Sequence, residues 1–520
     1  MSDLSKKPTK RVAVIGTGLV GCLAALGIAN KFGWQVDIYD SRSGAFPMPF
    51  YNPFNGVWLM VMTETDKAAD DRKTINLALS ARGLRAFAEI DPELAAEMKR
   101  IGVPLNGRMV HDLHGNANFQ PYGPHNEASP FIFLIAIFSI NRVTMINLLK
   151  DAVAECPLIK MHFSHKLARC SGTRMEFDNP ASGAHIVAHA DLIIGADGAY
   201  SALREQMRRQ VKMDTSTRWA PLSYLKIEVV PRRLPNGEVE DAFDPRVLHI
   251  WPRKEFLLIA PSNPDKTFTC VLWAPDALLE RLQRDEDFAR DFFPRTFPSF
   301  MRAISIEDVL AQLKVNPVVP MCAIKCSPLN NEHCVLIGDA AHVIVPYLGH
   351  GANVGYEDVR VLLSCLEQDP RQEEALANFN SARLADLEAI DRVSWAHIHE
   401  LAEHVLQPSY LLRKRLDFLL ARMLGGRWST LYAAITFDTE TPYAEVVNKI
   451  RRQDQLVQFF AMLMMALIVW AAWSTFVPVT GGQTMTPGLV DSLDIMDRFL
   501  NLYPVALKRF QRSAILKEGA

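Results

Sequence analysis

Apolar and polar positions along this chain change period several times, and each change marks an element. Val12–Ile15 is continuously apolar, as a strand covered on both faces is, and Leu23–Ile28 reads as the apolar side of a following helix. Val36–Tyr39 is a second strand. Two further apolar strands, Asp191–Gly195 and Cys334–Ile337, each run into a turn built from glycine and aspartate. Between them, Leu225–Val229 alternates strictly between apolar and charged residues. With Val247–Trp251, Phe256–Ala260 and Thr267–Leu272 it predicts an antiparallel sheet over 218–276. From Tyr356 to about Leu424 the pattern is helical. No charge occurs from Gln455 to Val490, and Phe459–Val479 is an apolar run long enough for one membrane helix. Arg451 and Arg452 stand just before it, which favours the cytosolic side for the preceding chain.

The turns carry chemistry. Gly16, Gly18 and Gly21 lie between the first strand and its helix, where glycines let backbone approach a pyrophosphate held at a helix N-terminus. The second strand ends at Asp40, placed to accept both hydroxyls of an adenosine ribose; an acid there favours FAD or NAD over NADP. Asp197-Gly198 and Gly338-Asp339 follow their strands in the same way, and Asp339 is placed to accept a ribityl hydroxyl. Singly, each dipeptide is an ordinary turn. In this order, after a dinucleotide fingerprint, they point to FAD.

Over residues 10–370 the three motifs resemble those of the single-component flavoprotein aromatic hydroxylases. That resemblance implies reduction by NADPH without a separate NADPH domain, then activation of O2 to hydroxylate an aromatic ring. Thr74–Gly83, Gly107–Asp112, Leu248–Arg253, Thr267–Cys270 and Lys325–Ser327 are similar to segments of the kynurenine 3-monooxygenases, the fungal type in particular, as is the apolar tail. The family then implies L-kynurenine as substrate and anchoring in the mitochondrial outer membrane, facing the cytosol. By matching position it implies that Arg108 binds the substrate carboxylate, with Tyr122 and Tyr432 assisting and His397 at a substrate-contacting position. It adds Leu19, Ala78, Arg142, Leu167, Ala352 and Asn353 to the FAD contacts. An arginine fork suits a carboxylate in an apolar pocket. No side chain is assigned as acid or base, because the substrate's aromatic amine already activates the ring and the cofactor carries the difficult chemistry.

Two positions depart from the family. His350 replaces a glutamine beside the flavin and is expected to titrate near neutral pH; His397 replaces an asparagine. These keep two alternatives open: a paralogous hydroxylase of another anthranilate-like aromatic, and a membrane-anchored FAD-binding protein without hydroxylase activity.

Composition narrows the rest. At 520 residues, with 49% hydrophobic and 22% charged residues, the chain holds two or three substructures. A net charge of −2 without a basic tract gives no footprint for nucleic acid. Its eight cysteines are scattered, without metal-ligand spacing, and read as free thiols of a reducing compartment. No metal site is expected. Met1–Lys7 has no apolar stretch of a secretory signal.

The expected fold is α/β: a doubly wound FAD-binding domain with an inserted antiparallel β-sheet substrate domain and a helical C-terminal region ending in a membrane helix. Its units are 10–217 (FAD domain, first part), 218–276 (antiparallel sheet), 277–370 (FAD domain, GD motif and flavin loop), 371–454 (helical) and 455–520 (anchor and tail). Two apolar segments, 44–62 and 130–138, fit this plan badly, and one or both read as unspliced intron sequence; if retained, they would lie against the membrane beside the pocket entrance.

Overall fold

The computed structural model describes residues 10–43, 50–52, 57–59, 74–123, 136–180 and 182–476. Its centre is a five-stranded parallel sheet in the order Ile159–His162, Gln35–Tyr39, Arg11–Ile15, Leu192–Gly195, Cys334–Leu336. Helices cover it. Helix α1 (Leu19–Phe32) follows the first strand and stops at Gly33, whose φ of 68° is the left-handed conformation of a helix end. Val12, Ala13 and Val14 are fully enclosed, which is why that strand is apolar throughout rather than alternating.

A second, eight-stranded sheet stands beside the first. Its order is His342–Val343, Val319–Ser327, Asp214–Val229, Phe268–Ala274, Phe256–Ala260, Leu248–Arg253, Gly107–His111, Ala117–Pro121. All pairs are antiparallel except Leu248–Arg253 with Gly107–His111. The sheet is therefore wider than 218–276, drawing strands from both flanking stretches. Residues 277–315 also depart from the expected plan. Their helices, Asp276–Arg284, Glu286–Thr296 and Ile306–Val315, bury Leu279, Phe293 and Leu313 against the outer face of this sheet, not in the flavin unit. Phe268, Cys270, Leu272 and Ala274 point outward to those helices, whereas Val271 and Trp273 point inward. Covered on both faces, this strand shows no polar alternation.

Four more helices complete the frame: α2 (Gly351–Gln368), α3 (Gln372–Ala402), α4 (Pro408–Leu424) and α5 (Leu431–Phe437), followed by α6 (Tyr443–Phe476). A buried ion cluster ties them together. Arg383 on α3, 1% exposed, binds Asp358 on α2 at 2.8 Å and Asp386 at 3.1 Å, and Arg82 binds Glu357 at 3.2 Å. Arg82 also donates to the carbonyls of Ile435 and Thr441, and its guanidinium stacks on Tyr443. The start of α6 is thus locked to the flavin-side helices.

Most of the apolar segment 44–62 lies outside the described residues; within it Phe50–Asn52 and Val57–Leu59 pair antiparallel. Of 130–138, residues 130–135 lie outside. The remainder is part of the fold: Ile137–Ile140 is the middle strand between Leu77–Leu79 and Val103–Leu105, and Ile137 is 2% exposed. An intervening sequence would not supply the central strand of a sheet, so residues 136–138 do not fit that reading.

Candidate active site

A cavity of about 310 Å³ lies between the two sheets. One end is formed by the turns of the parallel sheet, with Gly18, Leu19, Ala196, Gly198, Arg142, Asp339 and Ala352 in its wall. The other end is aromatic, with Arg108, Tyr122, Trp273, Tyr347, His397 and Tyr432. Ala78 lines it from the small sheet.

The glycine turn is built for close approach. A Cβ at Gly16 would lie 2.5 Å from the Ala196 carbonyl, and one at Gly21 would lie 2.1 Å from the Gly16 carbonyl. Gly16 has φ 106°, where L side chains are strained. These two glycines close the turn without lining the cavity. Gly18 is different: a Cβ there would meet only one atom within 4 Å, the Ala196 carbonyl at 3.9 Å, so its cavity side is open. It is also the N-cap of α1 and offers no side-chain cap, which leaves first-turn N–H groups available to an anion.

Asp40 ends its strand as expected, but it is not bare. It accepts from Thr17 N at 2.9 Å and Oγ1 at 2.6 Å, and from Arg42 Nε at 2.9 Å. Burial alone would raise its pKa, yet the Arg42 and Thr17 hydrogen bonds win and hold the carboxyl well below the usual range. Arg42 was not singled out in the sequence; its place two residues after the acid is the signal that was there to be used.

Asp339 is the reverse case. It sits deep among protein groups, its pKa raised by that burial, while its side chain is open to the cavity. Its loop is held from behind: Asp358 accepts from Gly338 N at 2.8 Å and pairs with His342 Nε2 at 2.6 Å. Asp197 serves mainly as a cap, its Oδ2 accepting from Ala202 N at 2.7 Å. Asn353 does not line the cavity. Its amide donates to Ala78 O at 2.7 Å and accepts from Ser80 N at 2.9 Å, bracing α2 against the strand that carries Ala78. Leu167 packs in the main core, away from the cavity wall. It follows His165 by two residues, and the His165 N–H donates to the Asp40 carbonyl at 2.8 Å, so Leu167 stays near the Asp40 turn.

At the aromatic end, Arg108 is 3% exposed. Its Nη1 donates to Glu400 Oε1 at 3.1 Å and its Nη2 to His397 Nε2 at 3.3 Å. Tyr432 lies flat against the guanidinium at 4.5 Å and stacks on Tyr122 at 5.1 Å and His397 at 5.7 Å. Because arginine only donates, His397 accepts at Nε2 and donates from Nδ1 to Glu400 Oε2 at 3.1 Å. Glu400 also accepts from Tyr410 OH at 2.8 Å. Burial would raise the Glu400 pKa, but His397, Arg108 and Tyr410 together hold it ionised. Lys414, one turn along α4 from Tyr410, is pushed down to about 8 by burial and then by Arg108.

Arg108 and Tyr122, from one hairpin, therefore meet His397 on α3 and Tyr432 on α5. Glu400, Tyr410 and Lys414 were not singled out as site residues, and for α4 nothing in the sequence says which helix face turns inward. His350 corrects an expectation. It is 2% exposed and absent from the cavity wall, donating from Nδ1 to Leu348 O at 2.9 Å and facing Thr436 Oγ1 with Nε2 at 3.3 Å. Burial pushes it down to about 4, so it does not titrate near neutrality.

The wall fits a flavin dinucleotide. The open cradle at Gly18, the uncapped helix start and the cavity-facing Asp339 suit pyrophosphate and polyol. Trp273 and Tyr347 contribute to the wall, and their Nε1 and OH have no hydrogen-bond partner among the described residues.

Comparison with known proteins agrees with this geometry. A family profile described as FAD binding domain matches residues 136–392. Kynurenine 3-monooxygenase of Yarrowia lipolytica is 33% identical over 458 residues, covering 86% of this chain and 92% of that protein. The Saccharomyces cerevisiae enzyme is 32% identical over 483 residues, 90% of this chain and 98% of that one. The Sus scrofa enzyme is 32% identical over 472 residues, 89% and 92%. Among solved structures, tetrameric 2-methyl-3-hydroxypyridine-5-carboxylic acid oxygenase covers 79% of this chain and 98% of its own, with TM-score 0.57 and 17% identity. PqsL of Pseudomonas aeruginosa, in complex with 2-aminobenzoylacetate, covers 76% and 97% with TM-score 0.56 and 17% identity. Those two structures speak for the fold; the relatives, a third identical over nearly the whole length, speak for descent. By its sequence, this chain belongs to the kynurenine 3-monooxygenase family of FAD-dependent hydroxylases.

Proposed function

We propose that this chain is an FAD- and NADPH-dependent monooxygenase that uses O2 to convert L-kynurenine to 3-hydroxy-L-kynurenine, in tryptophan catabolism and NAD biosynthesis. The observation that carries the reading is Arg108, a buried guanidinium at the aromatic end of a cavity whose other end suits FAD. FAD bound there would supply the redox chemistry between NADPH and O2. Gly16, Gly18, Leu19 and Gly21 would form the turn that holds it, Asp40 would meet the adenosine with Leu167 behind it, and Asp339, Arg142, Ala78 and Ala352 would face the flavin, with Asn353 bracing Ala78. Arg108 takes the substrate carboxylate, with Tyr122 and Tyr432 assisting it from the same wall. Leu105, Ile137, Leu248 and Leu401 make the remaining wall apolar and keep water from the reacting ring. No acid or base is required of a side chain.

Purified, FAD-loaded protein tests this. NADPH oxidation strongly stimulated by L-kynurenine, with 3-hydroxykynurenine identified by mass, is the expected result. Hydrogen peroxide as the only product means kynurenine binds without productive hydroxylation. No stimulation despite bound FAD removes kynurenine as substrate. A second reading, hydroxylation of another anthranilate-like aromatic, is favoured by His397, which takes one Arg108 donor for itself. A panel of such aromatics separates the two.

We also infer a membrane anchor. Helix α6 contains an 18-residue apolar window of mean hydropathy 1.9 that no part of the described protein covers, and the family resemblance favours the mitochondrial outer membrane with the flavin unit in the cytosol.

A further inference from the structure

We propose that α4 is a second membrane contact, an amphipathic helix lying in the lipid interface at the foot of the anchor. The inference rests on reading α6 as membrane-spanning. Leu412, Leu416, Leu419 and Met423 are 69%, 36%, 54% and 70% exposed. At 3.6 residues per turn these four positions fall within about 60° of one another, forming one apolar stripe along the helix. Tyr410, Lys414 and Asp417 occupy the opposite side. There Tyr410 binds Glu400, Lys414 lies close to Arg108, and Asp417 accepts from Arg413 and Trp428. The stripe therefore points away from the protein, and α4 has no fully buried residue.

The occupant follows from where α4 sits. Arg413 binds Asp454 at 2.6 Å, Gln453 donates to Arg427 O at 3.1 Å, and Lys449 donates to Gly426 O at 3.2 Å. Arg413 in α4 and the turn that follows the helix are thus fastened to α6 at residues 449–454, directly before the uncharged run that begins at Gln455. If α6 enters the bilayer there, α4 lies at the depth of the headgroups. Arg415 and Arg422 are exposed on one flank of the stripe, and Arg427, Arg451 and Arg452 are exposed beside it. Apolar residues dipping into acyl chains beneath a basic rim is the pattern of a helix lying on anionic lipid. Through Tyr410 the same helix supports Glu400, so the lipid surface and the substrate arginine are two links apart.

The test uses the full-length holoenzyme in phosphatidylcholine–phosphatidylserine vesicles, with the photo-cross-linker benzoylphenylalanine replacing one residue at a time. Leu419 reports α4, Leu467 reports the span, and Tyr200, 89% exposed, is the aqueous control. Lipid adducts at Leu419 and Leu467 and none at Tyr200 are expected. An adduct at Leu467 with none at Leu419 overturns the proposal and leaves the anchor standing. A cross-link from Leu419 to a second copy of the chain overturns it in favour of a dimer interface. No lipid adduct at either position removes the anchor, and the proposal with it.

Discussion

Arg108 and Glu400 stand 292 positions apart in the chain and meet as an ion pair at 3.1 Å, with His397 closing the triangle. The arginine that is to receive a substrate carboxylate is thus already held by a protein carboxylate. Glu400 fixes the guanidinium plane against Tyr432, leaving substrate to bind a preset fork rather than a mobile side chain.

Two effects therefore follow from one substitution. Arg108→Ala should weaken kynurenine binding by about 2–4 kcal/mol, read as a rise in KM or loss of kynurenine-stimulated NADPH oxidation. It should also lower Tm, because Glu400 loses a cation partner. Adding Glu400→Gln should restore Tm toward wild type without restoring KM. An unchanged KM in Arg108→Ala would take this arginine out of the pocket.

Asp358 is predicted to be essential for FAD retention though it does not line the cavity. Its carboxylate holds the Gly338 N–H, His342 and Arg383 at once. Asp358→Asn leaves Arg383 short of a counter-charge and slackens the loop bearing Asp339; a loss of about 3–5 kcal/mol in stability is expected. Purified variant should carry substoichiometric flavin by its absorbance. Full flavin occupancy with wild-type Tm would refute the prediction.

Acid sensitivity should come from a histidine pair outside the site. His249 donates from Nε2 to Asp244 O at 3.0 Å, so its Nδ1 accepts from His111 Nε2 at 3.0 Å, and His111 Nδ1 in turn accepts from Ser299 Oγ at 3.2 Å. With both rings protonated, two N–H donors face each other across the 3.0 Å contact between His111 Nε2 and His249 Nδ1. Burial, then the neighbouring histidine, pushes His111 down to about 3; burial pushes His249 down to about 4. Below about 6.5 the unfolded chain binds protons that the folded chain refuses, so stability is complete above that pH and falls as pH drops toward 4. Near pH 5 the loss is about 2 kcal/mol for each histidine. Thermal melts at pH 7 and 5 should differ in that sense, and replacing both histidines by glutamine should flatten the difference; equal Tm values in wild type would sink the idea.

Removing residues 455–520 should release the protein from membranes while sparing the fold. Tyr443, Val446 and Ile450 are buried in the main core, so the first turns of α6 belong to the body and are kept by this truncation. Flotation in high salt, which suppresses weak basic contacts, should find the truncated chain in the soluble fraction. Firm membrane association in high salt would mean that the apolar stripe of α4 holds the bilayer without the span.

Local pattern determined much of this protein. The glycine turn, the acid ending the second strand, the buried parallel strands and the uncharged C-terminal run are each set within a few residues, because close backbone approach, strand burial and bilayer thickness are short-range demands. The resemblance carried Arg108, Tyr122, His397 and Tyr432, and tertiary structure brought them into one wall. What the sequence could not decide were the things settled by long-range packing. Residues 277–315 cover the outer face of the antiparallel sheet, since an amphipathic helix does not specify which sheet it will cover. His350 is neutral because burial outweighs the pull of the Leu348 carbonyl toward its protonated form, and that burial is not written in its neighbours. Glu400 and Tyr410 enter the site because α3 and α4 fold back beneath Arg108. A charge acquires its partner, and a helix its inner face, only when elements hundreds of residues apart are packed together.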